Sequence, residues 1–357
     1  MASLPARPTL ADVAREAGVA TVTVSRVLEG SDKVALQTRE RVTAAMQRLG
    51  YFGNAAATQL VSGRTPTIGV VTSNITDYGY ASTMRGIEGR ARQRDMSMLI
   101  SVIEDTSDTD IRQAVGTVAS RAVAGVIVID YDDAAHAVIP HMPPYLPVVT
   151  TTRPNAGHLD VVRPHVFIDE YNGAVAATEY LIELGHRSIF VIAPPKKEPV
   201  ERRSDGITDA LTAARLPHFP VVRCPTWRPE SGYAAAQELL DSYGEVVTAI
   251  ACGNDELALG AMRAIAERGL RVPDDISIVG FDDNPLAAYC NPGLTTVAQD
   301  FTALGFAAFD LLAEVISGND VVDPPPLATE LIVRESTAPP HPERGLAVPR
   351  PSGVSAG

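Results

Sequence analysis

The sequence of 357 residues predicts a small all-α head followed by an α/β core of two doubly wound lobes. Three observations predict it. Residues 9–49 hold three short helical periods. After residue 66, apolar runs without polar alternation take turns with helical periods, the pattern of parallel strands covered on both faces. That alternation occurs in two successive series, one for each lobe. Hydrophobic residues at 45% and charged residues at 20% supply apolar surface enough for a large core.

In the head, "LADVAREA" puts Leu10, Val13, Ala14 and Ala17 on one helical stripe. Gly18 then admits the positive φ of a tight turn. From Thr21 to Leu28, at ~100° per residue, Val24, Val27 and Leu28 face inward. Thr21, Val22, Ser25 and Arg26 fall on the opposite arc. A third helix over about Thr38–Leu49 closes the core with Val42, Ala45, Met46 and Leu49. Three short helices with a glycine turn after the first form a helix-turn-helix, whose second helix enters the DNA major groove. A helical dimerisation cap would share the pattern, and charge decides between them. The whole chain carries −13, but residues 1–64 hold eight Lys/Arg against five Asp/Glu, leaving +3 there and −16 in the remainder. A basic head on an acidic body points to nucleic acid. Residues 54–62 have helix-forming composition but are too few for a helix stable alone in water. They are expected to fold against a partner, with Leu60 as an apolar wedge for a minor groove.

The first core series runs "TIGVVT", "STMRGIEGRARQRD", "MSMLISVI", "DTDIRQAVGTVASR", "GVIVID" and "LPVVTT". The second runs "HVFID", "NGAVAATEYLIELG", "SIFVIA", "DGITDALTAAR", "FPVVR", "ESGYAAAQELLDSYG", "VTAIACG", "DELALGAMRAIAERG" and "ISIVGFDD". Ligands of such lobes sit at the carboxyl ends of strands. That places Ser73–Tyr80, Asp105, Thr152–Arg153, Asn254–Asp255 and Asp282–Asn284 on facing edges of a cleft, although each residue type is also an ordinary helix N-cap. From Pro339 to Gly357 the chain is rich in Pro, Gly and Ser and is expected to be disordered. Its prolines preclude a heptad helix, so a dimer is expected and not a tetramer joined by the tail.

Several classes are excluded. Cys224, Cys252 and Cys290 are sparse and widely spaced, which suits a reducing compartment and neither a disulfide framework nor a zinc site. Asp12, Arg15 and Glu16 interrupt any apolar leader, and no run approaches the ~18 apolar residues of a membrane span, so a cytoplasmic location is expected. There is no G-x-G pair and no phosphate loop. A single G-x-S-x-G, Gly353 to Gly357, falls in the tail and not on a strand–turn–helix elbow. No enzyme activity, cofactor or metal is expected.

The ordered motifs "TLADVAREAGV", "TVSRVL", "TRERVTAAMQRLGY", N-x-x-A-x-x-L at Asn54, Ala57 and Leu60, "GNDELALGAMRAIAERGLRVPDDISIVGFDD" and "PGLTTVAQDFTALG" span nearly the whole chain. In these the sequence resembles the LacI family of bacterial transcription regulators. The resemblance implies a DNA-binding domain at 8–53, a hinge helix and linker at 54–65, and an effector-binding and dimerisation core at 66–338 of the type I periplasmic-binding-protein kind. Its N-lobe would span about 66–168 and 301–328, its C-lobe about 169–297 and 329–338, with the tail at 339–357. Thr21, Val22 and Arg26 are implied base readers, Arg26 by a bidentate guanine contact. Thr9, Thr23, Ser25, Lys33, Thr38 and Asn54 fall where phosphate contacts are implied.

Between the lobes the resemblance implies a small effector on Ser73, Arg203, Trp227, Asn254, Asp282, Gln299 and Phe301, with Asp105 and Thr152 at further pocket positions. Vicinal hydroxyls suit Asp282, Asn254 and Arg203, and the apolar face of a sugar suits Trp227, the one tryptophan. Thr152 and Asp105 depart from the family pattern, where an Asp and an Arg are expected, and Ile168 replaces an aromatic. Ala20 replaces a common Ser and Gly53 a common Pro. The expected function is a homodimeric repressor of sugar-utilisation genes, released from operator DNA by a sugar, a galactoside among the classes to test. The alternatives are a regulator needing a purine or phosphoprotein corepressor, and a sugar-binding protein without gene regulation.

Overall fold

The computed structural model describes residues 8–28, 31–51, 67–152, 163–195 and 202–344. The hinge positions Asn54, Ala57 and Leu60, together with Arg153 and residues 345–357, lie outside them. The chain divides into two compact units, Met1–Pro66 and Thr67–Gly357.

In the first unit, α1 (Leu10–Ala17), α2 (Thr21–Leu28) and α3 (Leu36–Leu49) bury Val13, Ala14, Ala17, Val24, Val42, Ala45 and Tyr51 in one small core. Helix α1 begins with a capping box: the Asp12 amide donates to Thr9 Oγ1 at 3.3 Å while the Thr9 amide donates to Asp12 Oδ2 at 2.9 Å. Gly18 ends α1 at φ +63°, and the Arg41 guanidinium braces that turn by donating to the carbonyls of Ala17 and Gly18. Leu28, on the inward stripe by periodicity, is 42% exposed.

The second unit holds two sheets. The first has strand order β2-β1-β3-β4, from β1 (Thr67–Thr72), β2 (Ser97–Val102), β3 (Val126–Ile129) and β4 (Val148–Thr150), all parallel. The second has order β10-β9-β8-β7-β5-β6, from β5 (Ile189–Ala193), β6 (Val222–Arg223), β7 (Ala249–Cys252), β8 (Ser277–Asp282), β9 (Thr295–Ala298) and β10 (Glu330–Ile332). Among the described residues, only the β9–β10 pairing of this sheet is antiparallel. The run "HVFID" is not a strand; it makes isolated bridges, His165 to Thr150 and Ile168 to Leu327, as the chain passes between sheets.

Among the described residues, eight α-helices follow the strands: α4 (Tyr78–Gln93), α5 (Asp108–Ala119), α6 (Asp133–Ala137), α7 (Glu170–Glu183), α8 (Arg202–Ala213), α9 (Pro229–Tyr243), α10 (Asp255–Glu267) and α11 (Phe301–Ile316). Although α11 lies late in the chain, Phe301, Leu304, Phe309 and Leu312 pack on Ile68, Val70, Ile127 and Ile129 of the first sheet. Helices meet closely at glycines: a Cβ on Gly86 would stand 2.2 Å from the Thr302 carbonyl oxygen, and one on Gly260 1.9 Å from that of Pro229. In both sheets the strand order reverses at an interior position, β1/β3 and β5/β7, and such reversals open a crevice at the strands' carboxyl ends.

Candidate functional site

On the head, the outward arc of α2 carries Thr21, Val22 and Arg26, all exposed, with Val22 at 55%. Thr23 and Ser25 are half-buried beside them. Lys33 is exposed in the α2–α3 connection and Thr38 is half-buried in the first turn of α3. The other described basic side chains are engaged within the head. Arg48 pairs with Glu16 at 3.0 Å, Arg15 with Asp12 at 3.1 Å, and Arg39 donates to the Ser31 carbonyl at 2.8 Å. The face left to Arg26 and Lys33 is a short helix presenting small polar groups and cations, the chemistry of base edges and phosphates. Thr9 also has a structural role as the cap of α1.

Between the two sheets lies a cavity of about 260 Å³, near the small end of the ~300–1,000 Å³ usual for small-molecule pockets. Its walls come from strand ends and helix starts of both lobes. Thr152, Arg203, Trp227, Asn254, Asp282 and Phe301 line it.

Arg203, in the first turn of α8, is the centre of this wall. It is 8% exposed, donates to Glu170 Oε1 at 2.6 Å and to the Gly253 carbonyl, and lies 3.4 Å from Asp282 Oδ1. Its guanidinium stacks 4.3 Å from the Phe281 ring centroid and 5.4 Å from that of Trp227, a cation–π sandwich. Burial works against its charge, but Glu170 and Asp282 hold its pKa above the ordinary arginine value. Burial pushes the Asp282 carboxyl well above the usual range, Arg203 opposing it, and pushes Glu256 up as well. Asn254 caps α10 by accepting from the Leu257 amide at 2.9 Å, and its Nδ2 holds the Trp227 carbonyl at 3.1 Å.

Gln299, Ser73 and Asp105 are not among the lining residues. Gln299 is buried and donates from Nε2 to Asp282 Oδ1 at 2.6 Å, so it touches the cavity through Asp282. The Ser73 hydroxyl is tied to Asp132, which also accepts from Tyr80 Oη at 2.7 Å. Asp105 is exposed, and its carboxylate accepts the Ser107 amide at 2.7 Å in the turn before α5.

Sequence reasoning singled out Phe301 and placed Tyr78 and Tyr80 at the cleft only as part of the loop Ser73–Tyr80; it missed Tyr131 and the aromatic wall that the four make. Tyr78, Tyr80 and Tyr131 line the cavity with Phe301, in edge contacts of 5.8 Å (Tyr78–Phe301) and 4.9 Å (Tyr80–Tyr131). The chain is only 5% aromatic, so five such side chains on one small cavity are a concentration suited to the apolar faces of a ring. The signal available was positional: Tyr131 directly follows the run "VIVID", and Tyr78 and Tyr80 end the loop after "TIGVVT". Glu170, Glu256, Arg202, Arg223 and Arg228 also line the cavity and were not singled out. Among the described residues no group of three or more His, Cys, Asp or Glu is placed to hold a metal ion. No described helix is long and apolar enough to cross a membrane.

A three-helix DNA-binding head on a two-lobed ligand-binding core defines a class of bacterial gene regulator. The profile described as "Bacterial regulatory proteins, lacI family" matches residues 9–54, and that of the "Periplasmic binding protein-like domain" matches residues 178–337. The chain is 34% identical to the lactose operon repressor of Escherichia coli (strain K12), over 93% of this chain and 91% of that protein. It is also 34% identical to the HTH-type transcriptional regulator CelR of Thermobifida fusca, over 92% and 98%. Among solved structures, a lac repressor dimer bound to operator and the anti-inducer ONPF superposes with a TM-score of 0.82 at 32% identity, covering 93% of this chain and 100% of that one. A CelR–cellobiose complex gives 0.68 at 32% identity, covering 92% and 100%. The chain belongs to the LacI family.

Proposed function

We propose that this chain is a transcriptional repressor that binds a near-palindromic operator as a homodimer, one head per half-site, and leaves it when a small sugar fills the cavity. It acts in the cytoplasm, where its DNA is. Thr21, Val22 and Arg26 read bases, and Lys33, Thr38, Thr23, Ser25, Thr9 and Asn54 engage phosphates. The hinge around Ala57 and Leu60 folds on the operator centre.

One observation carries the effector reading: Arg203 is held by Glu170 and Asp282 beneath Trp227, opposite Tyr78, Tyr131 and Phe301. Charged hydrogen-bonding groups paired with aromatic plates match a ring that offers hydroxyls at its edge and C–H groups on its faces. The names of two relatives support the class, one a lactose operon repressor and the other a CelR solved with cellobiose.

The test uses a duplex that the protein selects from a random pool. Sugars are titrated while Trp227 emission and operator anisotropy are followed together. One sugar class should change the emission and release the duplex in parallel. If no sugar does either, while a purine or a phosphorylated protein tightens operator binding, the corepressor reading replaces this one. Light scattering should give a dimer at micromolar concentration; a tetramer would refute that assembly.

A further inference from the structure

The charged groups around the cavity are unequally used. Each lining carboxylate has a partner: Glu170 and Asp282 face Arg203, and Asp77 accepts from Asn74 Nδ2 at 2.8 Å. Glu256 accepts from Asn254 and Asn284 at 2.8 and 2.9 Å. Those contacts use only one of the four lining arginines. Arg202 and Arg228 face the cavity with no side-chain hydrogen bond or ion pair among the described residues. Arg223, which donates to the Pro194 carbonyl at 3.2 Å and has other contacts, extends the same wall.

All three arginines come from the second lobe: Arg202 starts α8, Arg223 ends β6, and Arg228 is the N-cap of α9. The starts of α8 and α9 add the positive ends of two peptide dipoles to that corner. Hydroxyls of a neutral sugar need hydrogen-bond partners but not guanidinium forks that none of the four lining carboxylates takes up. A guanidinium fork matches a phosphate or carboxylate, with two parallel N–H donors per group.

We infer that the sugar bound here carries an anionic substituent, a phosphate ester or a carboxylate, received by Arg202 and Arg228. The inference rests on the reading of the cavity as a sugar site and names the chemical class within it.

The test titrates the intact chain with glucose, galactose and cellobiose, each beside its 6-phosphate, and with glucuronate and galacturonate, following Trp227 emission. At least one anionic member should bind ten times or more tighter than its neutral parent. In the double variant Arg202→Gln/Arg228→Gln that ratio should fall below about threefold, while Arg202→Lys/Arg228→Lys should keep most of it. Circular-dichroism melting checks that both variants fold. The phosphate and uronate arms tell which anion the site takes. A neutral parent that binds as tightly as its anionic forms, or a preference that persists in the glutamine variant, overturns the anion inference and leaves the sugar reading standing. No response to any of these sugars overturns both.

Discussion

The guanidinium of Arg203 stands 3.4 Å from the carboxylate of Asp282, across the boundary between α8 and the end of β8, with both residues buried. Asp282 is held there against its backbone preference, at φ +112°, where non-glycine residues rarely sit. Gln299 pins the same carboxylate oxygen at 2.6 Å. A strained, over-determined acid next to a paired arginine indicates placement for a ligand more than for stability, since buried ion pairs are weak net stabilisers.

Replacing that acid gives the first prediction. Asp282→Ala removes a charged hydrogen-bond partner worth ~1.5–3 kcal/mol, so sugar affinity by Trp227 fluorescence should fall roughly ten- to a hundredfold. Operator binding should survive, giving a repressor deaf to its inducer. Undiminished sugar affinity would remove Asp282 from the site.

The second concerns the head. Arg26→Ala should cost ~1–3 kcal/mol on the selected operator and relax preference at one base pair per half-site. Lys33→Ala should weaken all duplexes about equally and flatten the salt dependence. Equal losses for Arg26→Ala on every sequence would make it a phosphate contact.

A pH dependence follows from Asp255. Burial pushes its carboxyl up to about 7, although Thr296 Oγ1 and the Asn284 amide donate to it at 2.5 and 2.6 Å. Its folded pKa therefore lies above the unfolded one, so the stability it contributes is complete below pH ~4 and is lost as pH rises through about 7. Melting between pH 5 and 7 should show the wild type losing up to ~1.4 kcal/mol per pH unit from this group, and Asp255→Asn a shallower slope. Parallel slopes would refute the assignment.

Two glycines predict opposite signs. A Cβ at Gly260 would collide with the Pro229 carbonyl, so Gly260→Ala should lower stability by ~1–3 kcal/mol and, by displacing a lining residue, weaken the ligand too. Gly116, inside α5, has nothing within 4 Å of its Cβ direction. Gly116→Ala should stabilise by ~0.5–1 kcal/mol. Denaturant midpoints check both.

The regular elements were readable because their periods are local. Helix α1 has the stripe Val13, Ala14 and Ala17 that its sequence shows, and strands such as β3 are fully buried, as an unbroken apolar run requires. Segments whose conformation depends on a neighbour were not. The run "HVFID" looks like a strand but crosses between sheets, where partners exist for two residues only. The cavity was half readable for the same reason. Thr152 and Asn254 follow strands, Asp282 ends one, and all three reach it, as does Tyr131, whereas Asp105 follows a strand and does not. Chain position says that a residue is near a strand end; it does not say that β2 lies at the edge of its sheet, away from the β1/β3 reversal. Nor could the spacing of Arg202, Arg223 and Arg228 show that three elements bring them to one wall.

The late packing of α11 on the first sheet has a consequence for synthesis. Ile68, Val70, Ile127 and Ile129 are made early, yet the helix that covers them, Phe301–Ile316, begins 172 residues after Ile129 and 233 after Ile68. The second lobe must wait longer still, since β10 at Glu330–Ile332 pairs on β9. At ~5–20 residues per second, the first sheet spends on the order of ten seconds or more with an apolar face bare. The head, complete by residue 51, has its own core and is released from that delay. A nascent chain stalled near residue 290 would therefore display a finished DNA reader ahead of a sticky, half-built body, the form of this protein most in need of a chaperone.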